Sequence, residues 1–218
     1  MLDYRYPYER LLSVESKYSV SELSKSIFAD GSALKARPAF ITGDTMTAAE
    51  KGTATHRFMC YADFDRAEHS VADEAQLLVA SGKLTAEQAG GIDTEAVTAF
   101  FDSDIYRRLR LADRVLRESR FIFEITASEI VPDCASDEPV IVQGVADCVI
   151  FESDGIVIVD FKTDRNTTAD ELVKKYAKQL DLYARAFSYN YKMPVKQCSV
   201  YSFSLRETVD IPLERRLL

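Results

Sequence analysis

Apolar side chains recur along this chain in two rhythms. Between residues 47 and 110 they return every three or four positions, as on the buried stripe of a helix. From 121 onward they alternate or come in short runs, as in strands. The first stretch divides at residues that cap helices. Thr47 opens a helix that runs through Glu50 and His56 to Tyr61, and a second is expected over 66–81, stopping at Ser81-Gly82. Thr85-Ala86-Glu87-Gln88 begins a short helix that Gly90-Gly91 ends, and 94–117 reads as one helix or two, broken near Ser103. Residues 1–45 are irregular, with Pro7, Gly31, Pro38 and Gly43 as breakers and a capping box from Ser19 to Glu22. The second half predicts strands at 121–127, 140–151 and 156–163, a polar loop after them, a long helix over 169–190, and strands at 197–205 and 207–211. An order β-β-β-α-β with a helical layer from the first half makes this an α/β chain, read as a single domain. Its parts are a lead-in over 1–45, a helical part over 46–120 and a β-rich part over 121–218.

The two strands around Asp154-Gly155 carry the chemistry. Asp-Gly between apolar runs is a strong hairpin signal. Yet Asp147, Asp160 and Lys162 interrupt those runs, and burying charge is costly unless it is paired or bound. With Asp154 and Gly155 as the turn, Asp147 lies opposite Lys162 and Val149 opposite Asp160. Side chains alternate with a period of two, so all three charges share one face. Directly opposed Cβ atoms sit roughly 5 Å apart and diagonal ones roughly 7–8 Å, close enough for two carboxylates to reach one divalent cation. Val157, Val159 and Phe161 form the other, core-facing side. The plain alternative is a cross-strand salt bridge, but an exposed polar face would carry more Thr, Ser and Lys.

Other residues are open to two readings. Tyr176, Gln179, Leu180 and Tyr183 share one helical stripe, either as packing or with Gln179 and Tyr183 aimed at the site. Lys174, Lys175 and Lys178 are a solvated face or added positive charge. His56 follows the small residues Gly52, Ala54 and Thr55, which let a helix approach a sheet closely; it is a structural histidine or a ligand. His69 belongs to the surface. Arg107, Arg110, Arg114 and Arg117 line one face of the expected helix, as solvated charge or as a phosphate track. Glu124 is a metal-associated carboxylate or an outward strand residue.

Composition narrows the class. The 218 residues are 47% hydrophobic and 28% charged, ample for a sizeable core. A net charge of −8 argues against whole-surface binding to nucleic acid, though not against a local basic track. Cys60, Cys134, Cys148 and Cys198 fit no zinc or redox spacing and read as reduced thiols, with Cys148 facing away from Asp147. No apolar run approaches 18 residues, so no membrane span is expected. The opening Met1-Leu2-Asp3-Tyr4 looks like a cut within a longer protein.

Taken in order, the motifs resemble a known series. His56 in Gly-Thr-Ala-Thr-His, Asp147 in Gly-Val-Ala-Asp, Asp160 and Lys162 in Val-Asp-Phe-Lys-Thr-Asp, and Tyr176, Gln179, Leu180 and Tyr183 are similar to the motifs of RecB-family nucleases in the PD-(D/E)xK superfamily. Within that family they look like the nuclease domains of the AddA type. Ser19-Val20-Ser21-Glu22-Leu23, Arg37-Pro38-Ala39-Phe40 and Lys196 through Phe203 extend the resemblance across nearly the whole chain. Ala146 stands where the family often has Ile, and Phe161 where Tyr is common; neither departure touches a ligand side chain. The cysteines lack the spacing of the iron–sulfur relatives, so no such cluster is expected.

The resemblance implies a restriction-endonuclease-like core, a central mixed sheet flanked by helices, and a metal-dependent DNA exonuclease. Asp147 and Asp160 would hold Mg²⁺ or Mn²⁺, with His56 and the Phe161 carbonyl completing the shell. Lys162 would orient the attacking water or stabilise developing charge, while Gln179 and Tyr183 position the strand. The implied partners are single-stranded DNA ends from unwound duplex, a helicase part of the same polypeptide, and an AddB-type second subunit in the bacterial cytoplasm. ATP chemistry would belong to the helicase part, because no Walker-type loop occurs here. The alternative is a non-catalytic module of the same fold that binds DNA or docks a partner subunit. The intact Asp-x-Lys set argues against it. A phosphohydrolase of small substrates would need a nucleotide-cradling glycine loop, which the chain lacks.

Overall fold

The computed structural model describes residues 16–27, 46–130 and 137–213. The breakers Pro7, Gly31, Pro38 and Gly43, the Arg37–Phe40 motif and Cys134 lie outside the described residues. The chain runs β1 (Lys17–Ser19), α1 (Val20–Ile27), α2 (Ala48–Tyr61), α3 (Phe64–Ala67), α4 (Val71–Ala80), α5 (Ala86–Gly91), α6 (Thr94–Phe101), α7 (Asp104–Leu111) and β2 (Arg114–Thr126). It continues as α8 (Ala127–Ile130), β3 (Pro139–Glu152), β4 (Gly155–Lys162), α9 (Ala169–Tyr191), β5 (Val195–Ser202) and β6 (Glu207–Ile211). No described helix is long and apolar enough to cross a membrane.

The strands form one mixed sheet in the order β1-β3-β4-β5-β6, with β2 on the free edge of β3. β1 joins β3, and β4 joins β5, in parallel; the other pairs are antiparallel. Helices cover both faces. On one side α1 and α9 pack over Val149, Ile156, Ile158 and Val200. On the other, α2 to α7 close over Cys148, Ile150, Val157, Val159, Phe161 and Tyr201. This is the α/β/α layering expected, and Val157, Val159 and Phe161 are core residues as expected.

Several helix ends follow local chemistry. Thr47 with Glu50, and Thr85 with Gln88, make full capping boxes, as does Thr168 with Glu171 at the start of α9. Ser19 and Glu22 make the same reciprocal bonds at α1.

Three expectations are corrected. The helix expected over 66–81 is two, α3 and α4, because Ser70 caps a new start. The helix expected to reach Arg117 ends at Leu111, and Arg114–Arg117 are strand, paired with Phe151–Cys148. The hairpin turn is Ser153-Asp154, so Glu152 faces Gly155 and Cys148 faces Val159; Val149 lies opposite Ile158, not Asp160. Moving the turn by one residue changes every partner by two. Side-chain parity is therefore unchanged, and Asp147 and Asp160 still share a face.

Gly155 leaves the turn with φ 154°, and a Cβ there would stand 2.8 Å from the Pro194 carbonyl oxygen. Gly155→Ala is expected to cost about 1–3 kcal/mol, read as a lower denaturation midpoint at unchanged slope.

Candidate active site

The site lies at a fork in the sheet. One edge of β3 pairs with β2 along its length; the other is shared, with β1 beside Ile141–Gln143 and β4 beside Cys148–Glu152. Residues 144–147 fall between the two, and Asp147 closes the gap. Its Oδ2 accepts a 2.7 Å hydrogen bond from the Phe161 amide and lies 3.5 Å from His56 Nδ1. On the opposite edge, the β2–β3 register is continuous except at the position where Glu118 would face Asp147. Glu118 there adopts φ 50°, a left-handed backbone uncommon for its residue type.

α2 reaches the fork because Gly52 lets it. A Cβ on Gly52 would lie 2.7 Å from Thr163 Oγ1, so the helix sits against the end of β4, four residues before His56. His56, Glu118 and Asp147 each offer a ligand atom within 4.8 Å of the others, the one such His/Cys/Asp/Glu group among the described residues. Glu118 is the functional candidate the sequence reading missed. It fell between the helix read up to Arg117 and the strand read from 121, and only the pairing of β2 with β3 places it at the site.

Asp160 lies outside that group, at the carboxyl end of β4, where ligands gather in parallel α/β sheets. Its side chain is 2% exposed. Oδ1 accepts from Gln179 Nε2 at 3.4 Å. Oδ2 lies 2.5 Å from Lys162 Nζ, a buried ion pair. Gln179 Nε2 also donates to the Tyr183 hydroxyl at 3.0 Å, and the Lys162 ammonium rides 4.5 Å from the Tyr176 ring centroid. The α9 stripe therefore does face the site: Tyr176, Gln179 and Tyr183 meet it while Leu180 is core. Tyr176 in turn donates to Asp164 at 2.8 Å, an acid that also pairs with Lys175.

The two aspartates titrate in opposite directions. Burial pushes Asp160 up to about 6 against the pull of Lys162, with Asp147's charge adding to the rise. Burial also acts on Asp147, but the His56 hydrogen bond and charge, Lys162 and the Phe161 amide outweigh it and hold that carboxyl below its usual value. His56 is raised: its burial is outweighed by Asp147. Glu118 is pushed up by burial and then by Asp147. Two crowded carboxylates and a histidine nitrogen within 4.8 Å of one another, beside the buried Asp160 carboxylate, are hard oxygen and imidazole donors of the kind a divalent cation takes, so the donor set fits Mg²⁺ or Mn²⁺.

A cavity of about 580 Å³ opens beside this group. His56, Glu118 and Thr163 line it, whereas Asp147, Asp160 and Lys162 do not.

Two other candidates are not brought here. Glu124 points outward, paired across from Ile141 well up the strand. The arginine track does not exist as a helical face. Arg107 pairs with Asp104 and Arg110 with Asp65, Arg114 lies over the Phe151 ring, and Arg117 donates to the Met59 and Ala62 carbonyls. His69 is exposed, as expected. Cys148 is buried in the core under the helices, with its thiol pushed up to about 12 by burial.

Fold and site together define a nuclease core, and the comparisons agree. Residues 28–215 match the PD-(D/E)XK nuclease superfamily, and the chain belongs to it. It is 34% identical over 227 residues to an ATP-dependent helicase/nuclease subunit of Bacillus licheniformis, covering 93% of this chain and 18% of that protein. The proteins of the same name from Geobacillus kaustophilus and Bacillus cereus are 36% and 33% identical, over 92% and 96% of this chain. The chain thus spans about a fifth of the length of these relatives; in the Bacillus cereus protein the share is 19%.

Proposed function

We propose that this chain is a Mg²⁺- or Mn²⁺-dependent deoxyribonuclease domain that hydrolyses phosphodiester bonds at single-stranded ends of unwound DNA. In this reading it is the nuclease part of an AddA-type helicase–nuclease in the bacterial cytoplasm, working beside an AddB-type subunit on double-strand breaks destined for recombination. The relatives' names carry the helicase context. The observation that carries the nuclease reading is local: His56, Glu118 and Asp147 gather within 4.8 Å, next to the buried Asp160–Lys162 pair.

Asp147, Asp160 and His56 would hold the cation, with the Phe161 carbonyl on the same strand and Glu118 added by the geometry. When bound, the cation supplies Lewis acidity and an acidified water. Lys162 stands beside Asp160, where its ammonium can donate to a phosphate oxygen as negative charge develops. Gln179 holds Asp160 and Tyr183 in one hydrogen-bonded chain, which fixes the acid's orientation and aims the phenol across the site. Burial, and then the Asp160 charge, raise the Tyr183 phenol, so it stays a protonated donor.

Digestion of end-labelled single- and double-stranded DNA tests this. Cleavage is expected with Mg²⁺ or Mn²⁺ and none in EDTA, with products shortening from single-stranded ends. Metal-independent DNA binding with no cleavage under any of these conditions would instead make the chain a non-catalytic module.

A further inference from the structure

The cavity beside the cation-holding group has a second wall that the nuclease reading leaves unused. Outward residues of α2 form it: Arg57 and Tyr61 lie one turn apart, and His56 precedes Arg57. Arg120 and Val145, opposite each other on β2 and β3, complete it. Tyr61 is 44% exposed, its ring open to the cavity. Lys83 Nζ lies 4.9 Å from its ring centroid and the Arg57 guanidinium carbon 6.0 Å. Arg57 is itself fixed, donating from Nε and Nη2 to the Lys83 carbonyl at 3.2 and 2.8 Å. No carboxylate pairs with Arg57, Lys83 or Arg120 among the described residues. On a chain of net charge −8, two cations beside one exposed ring, with Arg120 on the wall of the same cavity, form a local exception, although Glu118 lines that cavity too.

We infer that this wall is a stacking subsite for single-stranded nucleic acid: one base lies on the Tyr61 ring, and the flanking phosphates meet Arg57, Lys83 and Arg120. A ring face accepts every base, so the subsite is tolerant of sequence. A paired base keeps its face inside the helical stack, so the subsite favours single strands. Because His56 lines the same cavity, a strand seated on Tyr61 runs directly to the cation-holding group. The inference rests on the nuclease reading for its direction, but its contacts are separate from the chemistry.

The test uses the 218-residue chain and a dye-labelled oligothymidine, with fluorescence anisotropy in EDTA so that no strand is consumed. Tyr61→Ala is expected to weaken binding about tenfold, whereas Tyr61→Phe retains it. Arg120→Gln is expected to lower the slope of log affinity against log salt by about 0.7, and Tyr61→Ala to leave that slope unchanged. A merely structural role for either residue would not separate the two readouts. Wild-type affinity in Tyr61→Ala, in a chain that still cleaves DNA with Mg²⁺ or Mn²⁺, would overturn the subsite and leave the nuclease reading standing. Tyr61-dependent binding in a chain that never cleaves would uphold the subsite and overturn the nuclease reading.

Discussion

Asp160→Asn is expected to reduce metal-dependent DNA cleavage roughly a thousandfold or more while the protein stays folded. The variant keeps the shape of the side chain and its contact with Gln179, and removes the charge. It should also stabilise the metal-free protein at neutral pH. Asp160 is buried, and its carboxyl titrates near 6 instead of near its ordinary value of 3.8. A carboxyl raised in this way binds its proton more tightly folded than unfolded. Its relative contribution to stability is therefore full below about 3.8 and is lost as pH rises through about 6. Thermal unfolding in EDTA between about pH 4 and 7 reads this directly: the wild type should lose stability across that window, and Asp160→Asn should lose less. Added Mn²⁺ should raise the wild-type midpoint and leave the variant nearly unmoved. A variant that still cleaves, or a wild type whose midpoint ignores Mn²⁺, would remove Asp160 from the site.

Phe100→Ala is expected to destabilise the protein by about 3–5 kcal/mol, lowering the thermal midpoint by roughly 10 °C. Phe100, on α6, is 1% exposed. Its ring makes edge contacts at 5.5 Å with Phe161 and 5.0 Å with Tyr201, and others with Phe64 and Phe101. It is where the helical layer grips β4 and β5. Phe161 points to that layer, while its neighbours Asp160 and Lys162 point to the other, so loosening Phe100 acts on the site through the strand itself. Calorimetric Mn²⁺ uptake should fall along with stability in Phe100→Ala, and Phe100→Leu should recover most of both. Unchanged stability in the alanine variant would show that the helical layer is dispensable to the sheet.

What could be read from the chain alone was local or periodic. Thr47 with Glu50, and Thr85 with Gln88, mark helix starts because a side chain three residues on satisfies the free amides. The shared face of Asp147 and Asp160 survives a misplaced turn because strand parity is insensitive to an even shift. What escaped depends on distant partners. Arg114–Arg117 have good helical propensity, and only the ladder to β3 makes them strand. β1 is three residues long and exists because Ile141–Gln143 offer it an edge. Glu118 enters the site through a kink set by the same ladder, which no spacing in the chain announces.

The fork in the sheet gives Asp147 two duties on one atom. The Oδ2 that faces His56 also clasps the Phe161 amide, where the two strands part company. A cation held by Asp147 would share that carboxylate with the clasp, so the acid that would hold the ion also ties β3 to β4 where they separate. Binding of an ion at Asp147 would therefore be felt at the Phe161 amide, where the seam of the sheet opens.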